Sequence, residues 1–358
     1  MTTTTVTAVV DALVTEGLVI EGASKENRVG RRPSLLRINS SSIYFLGIEC
    51  SSSGINLTVI DAMQQIVEQE THPIKDAHAA IILDTMQIML DNFAVSHAEI
   101  WQKIPSIVFS IPGELNRETG LALQYRTVPD WNNINFYSRF SYLGKQLIFI
   151  NNVDAMLTGY QAQCQLGPVQ SVMFIIMRNS VGVRLFSKGH LLSQFGLQCE
   201  IGHMQAVGSN RPCVCGKTGC YDAEISTSAL LRKLQEACAS GRIASLPCIT
   251  GEISFDTFFR LVQDSDPAAL EILSEITQYT AQMLETLLAF FRPDIVVLST
   301  YLCEAPMGFE DSLRRCLTQR GVPVHSSMIC IPPANELASF GSAIVGYNAF
   351  FSFHASEL

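Results

Sequence analysis

One histidine and three cysteines near the middle of the chain have the residue types and spacing of a metal site. His203 is followed by Cys213, Cys215 and Cys220, so four potential ligands fall within 18 residues. Zinc binds thiolate and imidazole ligands in sets such as Cys₃His, and a closed set of four is usually structural. Two glycines between the last two cysteines allow the tight turns that bring the sulfurs together. The alternative is buried free thiols beside a core histidine; the number and spacing of the ligands favour a structural zinc ion.

The residues around these ligands also resemble a family signature. The chain reads E-I-G-H-M at 200–204 and C-V-C-G-K-T-G-C at 213–220, followed by Tyr221, Asp222 and Ser226. This pattern resembles the ROK family (repressors, open reading frames and sugar kinases), and the resemblance extends over nearly the whole chain. It implies an α/β fold of the actin-like (ribonuclease H-like) type, with two lobes that bind a sugar between them. It also implies that this segment supplies zinc ligands and part of the sugar site.

A sugar kinase needs a carboxylate that accepts the proton of the attacking hydroxyl. In the ROK kinases, which this chain resembles, that carboxylate is the Asp of an Asn-Asp pair after a strand. The matching residues here are Asn151 and Asn152, and an amide cannot act as the base. Asp154 follows two residues later, but at the start of a helix it would point away from position 152. The sequence therefore argues against phosphotransfer.

The turns that would hold the nucleotide phosphates are altered as well. Such turns need glycines, because backbone N–H groups must approach the phosphate oxygens closely. By resemblance, segment 49–54 keeps the acid Glu49 but lacks the glycine pair, and segment 178–182 keeps only Gly182. The glycine pair expected after a late buried strand is replaced by Ser-Thr at 299–300. A divergent sugar kinase with an unusual base remains an alternative hypothesis.

Sugar recognition needs amides and carboxylates that pair with neighbouring hydroxyls. The resemblance implies the following sugar-binding residues: Gly113, Asn151, Asn152, Glu200, His203 and Asp222. His203 can bind zinc through one ring nitrogen and a sugar hydroxyl through the other. Asp222 stands where the family usually has Glu, and so the identity of the sugar stays open. Trp131 is a secondary candidate for stacking on a sugar, although packing in the core is the commoner role.

The first 38 residues have the pattern of half a winged helix-turn-helix. Apolar residues at helical spacing from Val6 to Leu13 predict an amphipathic helix, and strands are predicted at 18–20 and 35–38. The loop between these strands is polar and basic. An amphipathic helix with a hairpin that merely decorates a larger domain is the alternative reading of this pattern.

The resemblance identifies this segment with the recognition helix and wing of ROK repressors, which the ROK kinases lack. In such a module the helix enters the major groove and the wing contacts phosphates or the minor groove. The expected DNA-binding residues are Thr3, Thr4, Thr5, Thr7, Arg28, Arg31 and Arg32. The resemblance also implies two helices upstream, so we expect a truncated module that starts at or inside the recognition helix.

The rest of the chain alternates short apolar runs with helical patterns, which is typical of an α/β protein. Strands are predicted at 44–48, 55–60, 106–111, 147–150, 172–176, 181–185 and 295–298, and helices at 81–93 and 270–291. The expected domains are the partial winged helix-turn-helix at 1–38, a small lobe at 39–152 plus 340–358, and a large lobe with the zinc-binding insert at 153–339.

Composition limits the class of protein further. The chain is 47% hydrophobic and 16% charged, with a net charge of −9, so any contact with DNA must be local. It has no uncharged apolar run of about 18 residues, and we expect no membrane insertion. Eleven cysteines and the lack of a secretion signal favour a reducing cytoplasm.

Together these features predict a ROK-family transcriptional regulator, a repressor of carbohydrate genes, in a kinase fold without catalysis. Its expected partners are operator DNA, a sugar or phosphosugar effector and further copies of itself in a homodimer or homotetramer, and a protein partner is a further candidate. Two rivals stay open. One is the divergent sugar kinase, and the other is a regulator that acts through protein contacts without binding DNA.

Overall fold

The computed structural model describes residues 2–23, 34–128, 130–164, 170–188, 190–195, 200–243, 254–305, 308–322, 327–333 and 336–356. The chain divides into two compact units. Unit 1 consists of residues 1–164 and 335–358, and unit 2 of residues 165–334. The boundary expected at 152/153 falls at the start of a helix, and the structure groups that helix with unit 1.

The N-terminal segment of unit 1 forms a helix followed by a β-hairpin, as predicted. Helix α1 (Thr3–Thr15) begins after Thr2, whose side chain accepts a hydrogen bond from the backbone of Thr5. Strands β1 (Val19–Ala23) and β2 (Ser34–Ile38) pair antiparallel. None of the described side chains in residues 2–38 is buried. This segment therefore contributes little apolar core of its own.

The remaining elements of unit 1 surround one mixed sheet. In chain order they are β3 (Tyr44–Cys50), β4 (Gly54–Asp61), β5 (Ile66–Pro73), α2 (Ala79–Ser96), α3 (Ala98–Gln102), β6 (Ser106–Ile111), β7 (Glu114–Asn116), β8 (Leu121–Gln124), β9 (Asn132–Asn135), α4 (Phe136–Phe140), β10 (Gln146–Asn151) and α5 (Asn152–Cys164). The strand order is β10-β6-β3-β4-β5, and β3, β6 and β10 run parallel to one another. Strands β7 to β9 form a separate small sheet.

Unit 2 is built on a second five-stranded sheet. Its elements are β11 (Val172–Met177), β12 (Val181–Ser187), β13 (His190–Leu191), α6 (Tyr221–Ile225), α7 (Thr227–Ala239), α8 (Phe255–Gln263), α9 (Pro267–Phe290), β14 (Ile295–Thr300), α10 (Phe309–Gln319) and β15 (Ser327–Ile331). The strand order is β13-β12-β11-β14-β15, with β11, β14 and β15 parallel. A last helix, α11 (Leu337–Ser356), belongs to unit 1.

Both faces of the sheet in unit 1 are covered by helices. On one face α11 packs against β3 and α5, with Phe340 and Ile344 in a cluster that includes Phe45. On the other face α2 contributes Ile82 and Phe93 to the main apolar cluster of the unit. Because both faces of the sheet are buried, its central strands are continuous apolar runs, which is why the sequence predicts them.

Among the described helices, α2 is long and apolar enough to cross a membrane by length and composition. Its inner side nevertheless packs into the core of unit 1 through residues such as Met86 and Leu90. These contacts are those of a core helix in a globular α/β unit.

Candidate functional site

The four predicted metal ligands come together in unit 2. His203 ends a short 3₁₀ turn, Cys220 directly precedes α6, and the loop between them carries Cys213 and Cys215. The ligand atoms of all four residues lie within 4.8 Å of one another. His203 Nδ1 is 3.7 Å from the Cys213 sulfur, and the Cys215 and Cys220 sulfurs are 3.6 Å apart.

These separations fit a tetrahedral metal site. Zinc–sulfur bonds of about 2.3 Å place the ligand atoms of such a site about 3.8 Å apart. Three thiolates and one imidazole suit zinc and exclude ions that prefer oxygen ligands, such as magnesium. The residues present therefore fit the structural ion predicted from the spacing.

The backbone of the loop fixes the positions of the sulfurs. The Cys213 N–H donates to the carbonyl of Lys217 at 2.8 Å, and the Gly216 N–H donates back to the carbonyl of Cys213 at 3.0 Å. Gly219 has a φ of +74°, and a Cβ at this position would lie 2.5 Å from the carbonyl oxygen of Ser209. Only glycine satisfies both conditions, so the turn before Cys220 depends on it.

Two of the three loop thiols hold their protons more firmly than usual. The pKa of Cys215, by contrast, is lowered, because the effect of burial is outweighed by hydrogen bonds from the Lys217 backbone and the other two thiols. Burial, together with hydrogen bonds to the neighbouring thiols, raises the pKa of Cys220 to about 12. Burial also raises the pKa of Cys213. A metal must displace these protons, so metal affinity increases with pH.

A buried charge network, which the sequence analysis missed, anchors the base of the metal loop. Glu224 of α6 accepts a hydrogen bond from the Ser209 hydroxyl and lies 2.7 Å from the ammonium of Lys233. Lys233 also pairs with Glu275 at 3.1 Å, and Arg211 of the loop pairs with Glu236 at 2.8 Å. The side chains of Glu224 and Lys233 are each 2% exposed, so neither charge is solvated by water.

A signal of this network is present in the sequence of α7. Lys233 lies on the same helical face as Leu230, Leu234 and Ala237, all of which are buried. A lysine within an apolar stripe indicates a buried carboxylate partner, because an unpaired charge there is costly.

Asp222, a predicted sugar ligand, points into the protein. Its Oδ1 accepts a hydrogen bond of 2.6 Å from the N–H of Val181, and its Oδ2 lies 3.7 Å from His203 Nδ1. Burial raises the pKa of its carboxyl, against the opposing effects of Val181 and His203. Gly202 is packed so closely that a Cβ there would lie 2.4 Å from Asp222 Oδ1. Asp222 thus joins the start of β12 to a predicted metal ligand.

The other predicted ligand in this part of unit 2, Glu200, is exposed. Its carbonyl accepts the N–H of His203 at 3.0 Å, which forms the 3₁₀ turn. Ser299 and Thr300 stand where the resemblance predicts a glycine pair. Thr300 is buried, and its hydroxyl accepts a hydrogen bond of 3.2 Å from the N–H of Leu302. Thr300 therefore caps the turn that follows β14.

In unit 1 the structure brings Gly113 and Asn151 together. The Asn151 amide donates to the carbonyl of Gly113 at 2.9 Å and accepts the N–H of Val153 at 3.0 Å. Asn152 is half-buried and begins α5. Asn151 thus both caps α5 and holds the turn that follows β6, which places Asn152 at a fixed point.

The two acids near these residues, Asp154 and Glu49, are buried and already bonded to other side chains. Asp154 is fully buried and forms an ion pair with Arg117. Glu49 is also buried, and it accepts a hydrogen bond of 2.8 Å from the side chain of Asn56. Trp131 is 1% exposed and packs at the core edge-on to Tyr125, so it has the core role rather than a stacking role on a surface.

The predicted DNA-binding threonines lie at the start of α1. Thr4, Thr5 and Thr7 are exposed, and the Thr5 hydroxyl shares a hydrogen bond of 2.8 Å with that of Thr2. The side chain of Thr3 lies outside the described part of the chain. Three further predicted residues lie outside the described residues altogether: Arg28, Arg31 and Arg32.

Two units, each with a five-stranded mixed sheet covered by helices, define the actin-like α/β class that includes the sugar kinases. The chain belongs to the ROK family, whose sequence model matches residues 45–346. This assignment confirms the family predicted from the metal-loop signature.

Curated relatives of the chain include two kinds of repressor. The chain is 22% identical over 318 residues to the xylose repressor of Bacillus subtilis. The alignment covers 88% of this chain and 79% of that protein. It is 20% identical over 347 residues to the DNA-binding transcriptional repressor Mlc of Escherichia coli, which covers 95% of this chain and 85% of that protein.

Solved structures share the fold. A ROK family transcriptional regulator described as a homologue of E. coli Mlc superposes with a TM-score of 0.78 at 19% identity, covering 100% of this chain and 92% of the other. A ROK family glucokinase from Streptomyces griseus, in complex with glucose and AMPPNP, superposes with a TM-score of 0.68 at 17% identity. The superposition covers 84% of this chain and 98% of the glucokinase. Both likenesses establish the fold of the chain.

Proposed function

We propose that this protein is a transcriptional regulator of carbohydrate metabolism that senses a sugar or phosphosugar and does not phosphorylate it. The observation that carries this proposal is the environment of position 152. Asn152 cannot accept a proton, and the nearest following acid, Asp154, is buried and paired with Arg117. The repressor names of the xylose repressor and Mlc relatives support the same function.

The effector would be held by amide, carboxylate and imidazole groups from the predicted set of Gly113, Asn151, Asn152, Glu200, His203 and Asp222. A zinc ion bound by His203 and the three loop cysteines would be structural and would fix the orientation of the histidine. The four-atom cluster of ligands supports this role. We further propose that the protein acts in the cytoplasm as a homodimer or homotetramer.

Operator DNA would be contacted by the threonines of α1 and by the arginines of the loop between β1 and β2. Binding of the effector would then shift the population between arrangements that fit the operator and arrangements that do not. Within unit 1, residues 1–38 would be the DNA-binding module; the remainder of unit 1 would be the small lobe, and unit 2 (165–334) the large lobe.

A regulator that acts through protein contacts alone is the second candidate. It is favoured by the N-terminal segment, because α1 carries no lysine or arginine and the described side chains of 2–38 form no buried core. A recognition helix without a supporting core does not hold a fixed angle in the groove.

The first experiment is a thermal-shift screen of the whole protein with common sugars, phosphosugars and ATP with magnesium. Stabilisation by one sugar and none by ATP is expected, since a ligand raises the melting temperature only if it binds the folded state. ATP consumption that depends on a sugar would refute the regulator proposal and restore the kinase.

The second experiment measures binding of fluorescent DNA from upstream of the gene by anisotropy. The double variant Thr4→Ala/Thr7→Ala is expected to weaken binding, whereas Thr15→Ala at the other end of α1 is not. Equal affinity of both variants and the parent would exclude α1 from the DNA interface. Absence of binding by the parent would support the protein-contact regulator.

A further inference from the structure

A surface cavity lies between helices α9 and α10, entirely within unit 2. Its volume is about 400 Å³, which is in the range of small-molecule sites, and such sites often lie between helices. The lining residues recur at helical spacing, so one face of each helix borders the cavity. They include Leu270, Ser274 and Gln278 of α9 and Ser312, Arg315 and Gln319 of α10. We refer to this cavity as the α9–α10 groove.

The lining of the groove combines an apolar base with polar side chains at the surface. Leu273 lines it from below and belongs to the main apolar cluster of unit 2. The side chains of Ser274, Gln278 and Gln319 are exposed. Hydroxyl and amide groups can both donate and accept hydrogen bonds. The groove therefore suits a ligand that carries several hydroxyl groups.

Arg315 brings a positive charge to the groove that no described acid neutralises. Its guanidinium group donates a hydrogen bond of 3.1 Å to the Ser312 hydroxyl, and no carboxylate among the described residues pairs with it. By contrast, Arg314 and Arg320, in and just after the same helix, each form an ion pair with a glutamate. A guanidinium group has five N–H donors, so Arg315 keeps donors for an anion.

We propose that the α9–α10 groove binds a small hydroxylated carboxylic acid, of the sugar-acid class, as its carboxylate. Arg315 pairs with the carboxylate through two parallel N–H···O bonds, the geometry for which a guanidinium group is suited. The hydroxyl groups of the ligand pair with Ser274, Gln278 and Gln319. This proposal does not depend on the function proposed above.

The charge of the groove favours a carboxylate over a phosphate ester or a neutral sugar. Arg315 is the only charged side chain among the described residues of the lining, and it balances one negative charge. A phosphate monoester carries about two negative charges at pH 7, since its second pKa is about 6. It would leave excess negative charge on a chain whose net charge is already −9. A neutral sugar would leave the guanidinium group without an ionic partner.

Calorimetric titration of the full chain with sodium gluconate tests the role of Arg315. Arg315→Gln removes the charge and should weaken gluconate binding about tenfold or more, because hydrogen bonds to a charged group are lost. Arg320→Gln is the matched control, since Arg320 is paired with Glu285 and does not line the groove. It should leave the affinity for gluconate unchanged. Melting temperatures of both variants verify folding.

A second variant tests the space in the groove instead of its charge. Ser274 is exposed on α9, so Ser274→Leu can fill part of the groove without entering the core. We expect this variant to lose gluconate binding and to keep the melting temperature of the parent. Gluconate binding that is unchanged in both Arg315→Gln and Ser274→Leu would place the acid elsewhere on the protein and overturn the proposal.

Three further probes test the class of ligand. Glucuronate has the same charge as gluconate in a ring form, glucose has no charge, and glucose 6-phosphate carries a phosphate ester. The part of the affinity that Arg315→Gln removes should be larger for the two carboxylates than for glucose or glucose 6-phosphate. A larger effect on glucose 6-phosphate would overturn the assignment to a carboxylate. Absence of binding of both gluconate and glucuronate to the parent would refute the proposed site.

Discussion

The carboxylate of Asp222 accepts the N–H of Val181 at 2.6 Å and lies 3.7 Å from the ring of His203. One side chain therefore connects the first residue of β12 to a predicted metal ligand. The direct hydrogen bond is to a backbone group that is itself buried.

Replacing this carboxylate should destabilise unit 2. In Asp222→Ala the buried N–H of Val181 loses its acceptor, which costs about 1–3 kcal/mol of unfolding free energy. Asp222→Asn keeps an oxygen at the same place and should lose less. Urea unfolding of the two variants measures the difference, and equal losses would show that the hydrogen bond is unimportant.

The metal loop should bind one zinc ion per chain and release it in acid. Cys215→Ser removes one of four ligands and should lower the metal content and the melting temperature, whereas Cys164→Ser, at an exposed thiol of unit 1, should change neither. Because the pKa of Cys220 is raised to about 12 without metal, protons compete with zinc, and affinity should fall as pH decreases. Normal metal content in Cys215→Ser would contradict the site.

Two glycines of the loop should respond differently to the same substitution. Gly216 and Gly219 both have positive φ, +87° and +74°, so alanine costs about 1–2 kcal/mol of backbone strain at either. Only at Gly219 would the added Cβ also collide with a carbonyl, that of Ser209. Gly219→Ala should therefore lose zinc affinity and stability, while Gly216→Ala keeps most of both. Similar melting temperatures for the two variants would disprove the close contact.

Removal of the buried lysine, Lys233, should strongly lower the free energy of unfolding. Lys233→Met leaves Glu224 buried with its ammonium partner missing, which costs about 3–5 kcal/mol of unfolding free energy. The double variant Lys233→Met/Glu224→Gln removes both charges and should recover part of that loss. Arg242→Met breaks an exposed pair with Glu271 and should change stability by about 0.5 kcal/mol or less. Denaturant titration of all three variants tests this order.

Much of the framework was predictable because the central strands are buried on both faces and therefore appear in the sequence as continuous apolar runs. The predicted runs 172–176 and 295–298 are confirmed as β11 and β14, which pair in parallel at the centre of their sheet and are buried throughout. The clustering of the four predicted metal ligands was predictable for another reason, since all four are close in sequence.

What the sequence did not indicate depends on contacts between distant residues. Strand β5 is missing from the prediction because it is an edge strand with mostly exposed, polar residues. The inward orientation of Asp222 requires Val181, 41 positions away, and is invisible to local pattern. The partners of Lys233 come from α6 and α9, so only the tertiary structure identifies them.

The position of the metal loop in the chain has a consequence for synthesis. His203 and the three cysteines have all left the ribosome once residue 220 has emerged. The central sheet of the same unit cannot form until much later in synthesis, because Val172 of β11 pairs with Ile295 of β14. A zinc ion bound as proposed would therefore enter the loop while the nascent chain still lacks two of the five strands of this sheet, and the supply of zinc during translation would then influence how the unit folds.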